Sequence, residues 1–263
     1  MKARVIGKEN VTTQQGADRE GLWSSHVDHT GISFGGHSSY KPANKNNLFA
    51  HAKDLLYALE RERPMQRPII FVAHSLGGIM VKETLRRSEI SREPSIRDTI
   101  QSTVGVVFLG TPHRGSPGLA NLGEIVRRTA SHLLRVDSNA TVLRTLGYDS
   151  PELELCRESF ATQWREFNFR VKTFQEAYGI GGVAIGPMGE KFVPDSSSSL
   201  DDAREHAESI NANHMDMVRF DSAANPGYQK VAGELRIIIN QLPEILYQKG
   251  CHFGFLYSVF LND

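Results

Sequence analysis

Residues 69–81 read IIFVAHSLGGIMV, which combines a short apolar run, a turn of small residues and the start of a helical pattern. The run has the length and the β-branched and aromatic content of a strand. Ser75 stands at the apex of the turn. Gly77 and Gly78 lack a Cβ, so the helix can pack close to the strand that it has just left. The stretch therefore predicts a strand, a sharp turn carrying a serine, and a helix.

The segment AHSLG at 73–77 matches the Gly-x-Ser-x-Gly pattern of a nucleophile elbow, with Ala73 in place of the first glycine. That position requires only a small side chain, so alanine fits it. A serine hydroxyl is a poor nucleophile, but such a turn lifts Oγ clear of the sheet and aims the N–H of Leu76 at the same space. The alternative is a buried strand and a glycine-rich turn that happens to contain a serine. The flanking strand and helix, in the required order, favour the elbow.

The bulk composition fits one α/β domain. The chain has 263 residues, of which 40% are hydrophobic, and its 30 basic and 30 acidic residues give a formal net charge of zero. This balance argues against nucleic acid or an anionic membrane surface as the main partner. Cys156 and Cys251 offer neither a disulfide framework nor metal-ligand spacing, so a reducing, cytoplasmic location is the default. No apolar run reaches the length of a membrane span.

Continuous apolar runs and helical stripes predict the order of elements. The run at 104–109 comes after the elbow helix, predicted over 78–88, so the two strands should form a parallel pair with a crossover. The fold class is therefore α/β, a mostly parallel sheet flanked by helices. Further elements are predicted as a helix capped by Asn46 or Asn47 and running to 63, a strand at 169–174, a short last strand or the approach to it at 191–195, and a closing helix at 227–242.

The chain divides into a main domain over 32–244 and two atypical ends. Residues 1–31 are polar and expected to be loosely ordered; one short strand candidate lies within them at Val5-Ile6, and another opens the main domain at 32–34. Residues 119–164 read as a helical insertion placed where a lid would sit, or as plain packing helices. The apolar tail 245–263 has no clear period, and it is predicted to pack on the domain, contact a protein partner or dangle. Three N-terminal histidines lack ligand spacing, so no metal is expected there: His26, His29 and His37.

A nucleophilic serine needs a base to take its proton and a third group to hold that base. In hydrolases with this elbow the chain order is serine, acid, histidine. His214 lies in a polar loop after the last strand candidate, and it is the predicted base; the alternative is a surface histidine beside Asp216. His74 is a second candidate base, but its adjacency to Ser75 places it poorly for reaching the same oxygen.

The acid is less clearly defined by the sequence. Glu176 comes after the strand predicted at 169–174, where such folds usually present a carboxylate, and it is preferred. Asp195 is the competitor, with Asp201 and Asp202 as remaining alternatives.

Loops at the carboxyl ends of parallel strands line the ligand crevice of open α/β sheets. His113 and Arg114 come after the strand at 104–109, and with His74 they are predicted as residues at the rim of a substrate site. The alternative for the first two is an exposed, turn-rich loop.

Three segments carry a resemblance to a known family: FVAHSLGG at 71–78, FLGTPHRGS at 108–116 and NHMD at 213–216. Over roughly residues 32–242 the chain resembles the lipase-like serine esterase family of α/β-hydrolases. Its members include proteins described as containing a serine active site and the N-terminal domains of fungal NACHT, ankyrin and tetratricopeptide receptors. GPI inositol-deacylases are more distant relatives.

The resemblance implies a cofactor-free serine hydrolase acting on lipid or other esters, with Ser75, His214 and Glu176 in the catalytic roles. It implies phospholipid remodelling in a human member and a signalling or cell-death role in the fungal receptors. It also implies peripheral contact with mitochondrial or endoplasmic-reticulum membranes.

One expected feature of the family is not found in the sequence. Members carry a strand and a His-Gly-rich loop before the first helix, and that loop supplies the second oxyanion N–H. Here residues 7–31 are polar, so the N-terminal part of the sheet is expected to be truncated. This motivates an alternative hypothesis: a catalytically degenerate domain acting as a signalling or interaction module of a fungal immune-receptor type protein. A thioesterase or peptidase on the same scaffold is a third hypothesis.

Overall fold

A computed structural model of the chain describes residues 2–6, 33–34, 48–113, 151–179, 191 and 193–250. Within these ranges the strands are β1 (Lys2–Ile6), β2 (Ser33–Phe34), β3 (Ile69–His74), β4 (Thr103–Leu109), β5 (Arg170–Glu176) and β6 (His206–Ile210). The helices are α1 (Leu48–Glu62), α2 (Leu76–Ile90), α3 (Pro94–Gln101), α4 (Pro151–Glu166), α5 (Asp195–Ser198), α6 (Pro226–Asn240) and α7 (Leu242–Gln248).

The strands form one sheet in the order β2-β1-β3-β4-β5-β6. β3, β4, β5 and β6 are parallel neighbours, whereas β1 runs antiparallel to β3, with Ala3 opposite Ala73, and antiparallel to β2. The carboxyl ends of the four parallel strands therefore meet at one edge of the sheet. A mostly parallel sheet flanked by helices is the α/β fold class that the sequence predicts.

Helices cover both faces of the sheet because its central strands are apolar on both sides. Every residue of β4 is buried, as its continuous apolar run predicts. One face packs against α1, α2 and α4, and the other packs against α6 and α7. Representative members of the first core are Leu55, Phe71, Leu85, Phe108 and Phe160. Representative members of the second are Ile70, Val107, Phe174, Ile238 and Leu246.

Several element boundaries can be explained by local sequence. α1 ends at Glu62, shortly before Pro64, and α4 begins at Pro151, since proline fits the first position of a helix. α2 begins at Leu76, directly after the serine, rather than near Gly78 as predicted. A further helix, α3, lies between α2 and β4, where no element was predicted.

Of the two predictions for 191–195, the short last strand is wrong. Pro194 instead precedes the short helix α5, because proline has no N–H to donate to a ladder and fits the start of a helix. The last strand is β6, which pairs with β5. Its sequence is HAESI, and four of its five residues are exposed or half-buried. β6 lies at the edge of the described sheet and so needs no continuous apolar run.

The structure describes only part of the N-terminal segment 1–31, of the predicted insertion 119–164 and of the C-terminal tail 245–263. Of residues 1–31 it describes 2–6, which form β1; of the predicted insertion it describes 151–164, which lie in α4. Cys156 and Phe160 of that helix are buried in the core, so this part is a packing helix. Ile245 and Leu246 of α7 are also buried, and 251–263 lie outside the described residues. None of the described helices is both long and apolar enough to span a bilayer.

Candidate active site

Ser75 occupies a strained turn between β3 and α2. Its backbone has φ 56° and ψ −131°, a conformation that non-glycine residues rarely adopt. The turn is held by two backbone bonds: the Ser75 N–H donates to the Leu109 carbonyl at 2.9 Å, and the Gly78 N–H donates to the Ser75 carbonyl at 3.0 Å. The geometry is the sharp strand-to-helix turn that the sequence predicts.

Small residues on either side let this turn form. Ala73 is fully buried in β3. A Cβ on Gly78 would lie 2.3 Å from Thr111 Oγ1 and 2.9 Å from Phe108 Cδ1. Such contacts are far inside van der Waals distance, so α2 could not pack this close to the end of β4 with any larger residue.

Leu76 is the first residue of α2, so its N–H belongs to the helical turn whose N–H groups have no intrahelical carbonyl to bind. The Ser75 side chain is buried, and its Oγ makes no hydrogen bond to any other described residue. A hydroxyl and the amino end of a helix therefore stand together at the carboxyl edge of the sheet. Residues 7–31, which stand where the family carries the loop with the second donor, lie outside the described residues.

His214 reaches the same edge from the loop after β6. Its ring lies against Gly110, where an added Cβ would be 2.9 Å from His214 Nδ1. Gly110 has φ 53°, which favours glycine, and it comes directly after Leu109, the acceptor of the Ser75 N–H. The serine turn and the histidine ring therefore contact consecutive residues at the end of β4.

Glu176 is the last residue of β5 and carries the carboxylate that lies against His214. Its Oε2 is 3.2 Å from His214 Nδ1, and both side chains are almost fully buried. Its Oε1 accepts the Val193 N–H at 2.5 Å. A carboxylate facing Nδ1 favours the tautomer protonated there, which leaves Nε2 as the basic nitrogen of the neutral ring.

The other candidate acids have different partners. Both oxygens of Asp195 accept from Lys191 Nζ at 2.7 Å, and its side chain is 56% exposed. Asp202 is bound by Arg204, and that hydrogen bond lowers the pKa of Asp202 to about 2. Asp201 accepts from the Ser199 hydroxyl. Among the described carboxylates that the sequence offered, Glu176 is the one beside the imidazole.

The three predicted rim residues have different surroundings. His74 is buried, and its Nε2 lies 2.9 Å from the His214 carbonyl oxygen. His113 is also buried, and its ring lies edge-on to Phe108 with 4.7 Å between centroids. The backbone N–H of His113 donates to the Ser197 carbonyl. Arg114 lies outside the described residues, as do the three N-terminal histidines.

Sequence reasoning missed two features of this site. Gly110 makes room for the His214 ring, and the Val193 N–H holds the second oxygen of Glu176. A glycine directly after a fully apolar strand is a signal that could have identified the first. A backbone donor from a distant loop leaves no signal in the sequence.

Part of the chain is similar in sequence to known proteins. The chain is 30% identical to Protein SERAC1 of Homo sapiens over 135 residues, which is 51% of this chain and 19% of that protein. It is also 30% identical to Protein SERAC1 of Danio rerio over 144 residues, or 55% of this chain and 20% of that protein. The chain thus spans about a fifth of the length of these curated relatives.

Solved structures similar to the chain include the mature lipase BlEst2 of Bacillus licheniformis, with a TM-score of 0.44 and 16% identity over 74% of each chain. Another is a lipase-esterase related protein from Clostridium acetobutylicum, with a TM-score of 0.41 and 12% identity over 77% of this chain and 79% of that one. No known protein-family model matches the chain.

Proposed function

We propose that the chain is a serine hydrolase that cleaves carboxylic esters through an acyl-enzyme. The observation that carries the proposal is the buried contact of 3.2 Å between His214 Nδ1 and Glu176 Oε2, at the sheet edge where Ser75 stands on its strained turn. A base oriented by a carboxylate, at the sheet edge that also carries a serine on an elbow, is the constellation that acyl transfer uses.

In the proposed reaction Ser75 Oγ attacks the ester carbonyl while its proton passes to His214 Nε2. The Leu76 N–H stabilises the resulting oxyanion, and Glu176 stabilises the imidazolium. Collapse of the tetrahedral intermediate breaks the ester C–O bond, and His214 returns the proton to the leaving alkoxide. Water then attacks the acyl-serine with His214 again as the base, which releases the acid and restores the serine. No cofactor enters these steps.

The proposed substrates are small-molecule or lipid-like esters. The class is suggested by the family resemblance of the elbow and of the FLGTPHRGS block at 108–116. The residues that would choose among acyl chains include 114–150, outside the described part of the chain.

Covalent labelling with a fluorophosphonate probe tests the proposal, because such probes react with serines that a neighbouring base has activated. We expect one adduct on the wild-type chain and none on Ser75→Ala. Ser95→Ala is a matched control that should label like wild type, because Ser95 lies in α3, which leads into the amino end of β4. An unlabelled wild-type chain, or an adduct that survives Ser75→Ala, refutes the proposal.

The alternative, a catalytically degenerate interaction module, makes the opposite prediction. It requires a folded wild-type chain that neither labels nor hydrolyses activated esters. Ester hydrolysis that disappears in Ser75→Ala would exclude it.

A further inference from the structure

His74 connects the nucleophile strand to the predicted base. It is the last residue of β3, it is buried, and its Nε2 lies 2.9 Å from the backbone oxygen of His214, 140 positions further along the chain. A carbonyl oxygen can only accept a hydrogen bond, so His74 Nε2 carries the proton and donates it. The bond is buried, where leaving the carbonyl without its donor would be costly.

The two imidazole rings also contact each other. Their centroids are 4.7 Å apart and their planes are tilted by 39°. His214 is therefore held at three points: Glu176 faces its Nδ1, Gly110 lies against its ring, and His74 binds its backbone and packs on the ring. The His74 contact differs from the other two because it starts from the residue bonded directly to Ser75.

We propose that His74 is a positioning residue that fixes the backbone of His214 relative to the nucleophile. The inference rests on the proposed hydrolase function. Because His74 and Ser75 are consecutive, one peptide unit links the serine to the group that anchors the base. A small shift of β3 then moves the nucleophile and the base together, and the distance between their reacting atoms is preserved. Holding reacting groups at a productive distance is a major source of enzymatic rate acceleration.

The first arm of the test compares His74→Phe with His74→Gln. Phenylalanine keeps a planar ring but has no donor, whereas the glutamine Nε2 is a donor at a reach similar to that of the histidine Nε2. For an activated ester we expect His74→Phe to lower kcat on the order of tenfold, the worth of one buried hydrogen bond. KM should be unchanged, and His74→Gln should recover most of the loss. A wild-type kcat in His74→Phe, or equal losses in both variants, would overturn the proposal.

The second arm does not depend on catalysis. The His214 Nδ1 proton that faces Glu176 should give a downfield proton NMR signal in the wild type and in His74→Gln. In His74→Phe it should be broadened or shifted, because the ring is held less firmly. Thermal unfolding of all three chains checks that they are folded. A chain that shows this NMR pattern but does not label with fluorophosphonate refutes the hydrolase function and retains the positioning role. An unchanged signal in folded His74→Phe overturns the positioning role even where the wild type is active.

Discussion

Replacing Glu176 by glutamine removes one charge from the site and almost no volume. The glutamine oxygen should take the place of Oε1, because the Val193 N–H needs an acceptor there. The side-chain NH₂ then faces His214 Nδ1 and donates to it. This reverses the tautomer: Nδ1 becomes the acceptor, and the proton moves to Nε2, where the serine proton would have to go. Under the proposed mechanism, the variant thus loses both the charge that stabilises the imidazolium and the basic nitrogen that takes the serine proton.

The distance sets the size of the effect. Two unit charges 3.2 Å apart interact by about 5 kcal/mol at an effective dielectric constant of about 20, and each 1.36 kcal/mol is worth about tenfold in rate. A loss of this interaction in the transition state corresponds to a fall in kcat of between about 10³ and 10⁴. The asparagine variant of the serine-protease triad shows a loss of about 10⁴ by the same change of tautomer.

Hydrolysis of a p-nitrophenyl ester and the rate of fluorophosphonate labelling both report this loss. Asp195→Asn is the matched control, since Asp195 was the competing acid in the sequence and is exposed and bound to Lys191. We expect its kcat to stay within about twofold of wild type, because an exposed ion pair contributes little. The assignment of the acid is refuted if Glu176→Gln keeps a tenth or more of the wild-type kcat. It is also refuted if kcat falls further in Asp195→Asn than in Glu176→Gln.

Three further predictions concern stability and reactivity. Gly78→Ala should lower the free energy of unfolding by about 1–3 kcal/mol in denaturant unfolding. In Gly233→Ala the added Cβ would meet nothing within 4 Å, so this substitution should raise the free energy of unfolding by up to about 1 kcal/mol. Equal changes in the two variants would contradict the close packing of α2. In a Cys251→Ser background, Cys156 should resist alkylation at pH 8 until the chain unfolds, because burial and nearby Glu83 raise the pKa of its thiol to about 12; rapid native-state alkylation would contradict this. Asn225→Ala should lower the free energy of unfolding by about 1 kcal/mol and Asn225→Asp by much less, because the Asn225 side chain caps α6 by accepting two backbone N–H groups. Equal losses of unfolding free energy in the two variants would show that the side-chain oxygen does not stabilise the helix.

The parts of the fold that could be predicted well from sequence are those fixed by local chemistry. β3 and β4 are continuous apolar runs, and α1 ends before a proline, so each is marked by the residues that form it. β6 was missed because its pairing with β5 and its place at the edge of the sheet, rather than its own polarity, make it a strand. Val193 suggested one more apolar run, but no strand forms there, and the helix α5 begins at Asp195 instead.

The candidate site shows the same division. The serine turn could be predicted because its special backbone requires small neighbours in sequence order. His214 and Glu176 could be proposed from their order relative to the strands, but the choice of Glu176 over Asp195 depended on where each side chain ends in space. The role of His74 could not be predicted, because its partner is a backbone oxygen, and every residue has one.

The meeting of β3 with the loop after β6 has a consequence for synthesis on the ribosome. Ser75 emerges early, but the carbonyl that His74 binds and the imidazole beside Gly110 both belong to His214, which is made 140 positions after His74. Until that loop has left the exit tunnel and β6 has docked, the nascent polypeptide holds a serine without a partner able to take its proton. Under the proposed mechanism, acyl transfer is therefore withheld from the growing chain and begins only once translation has passed β6.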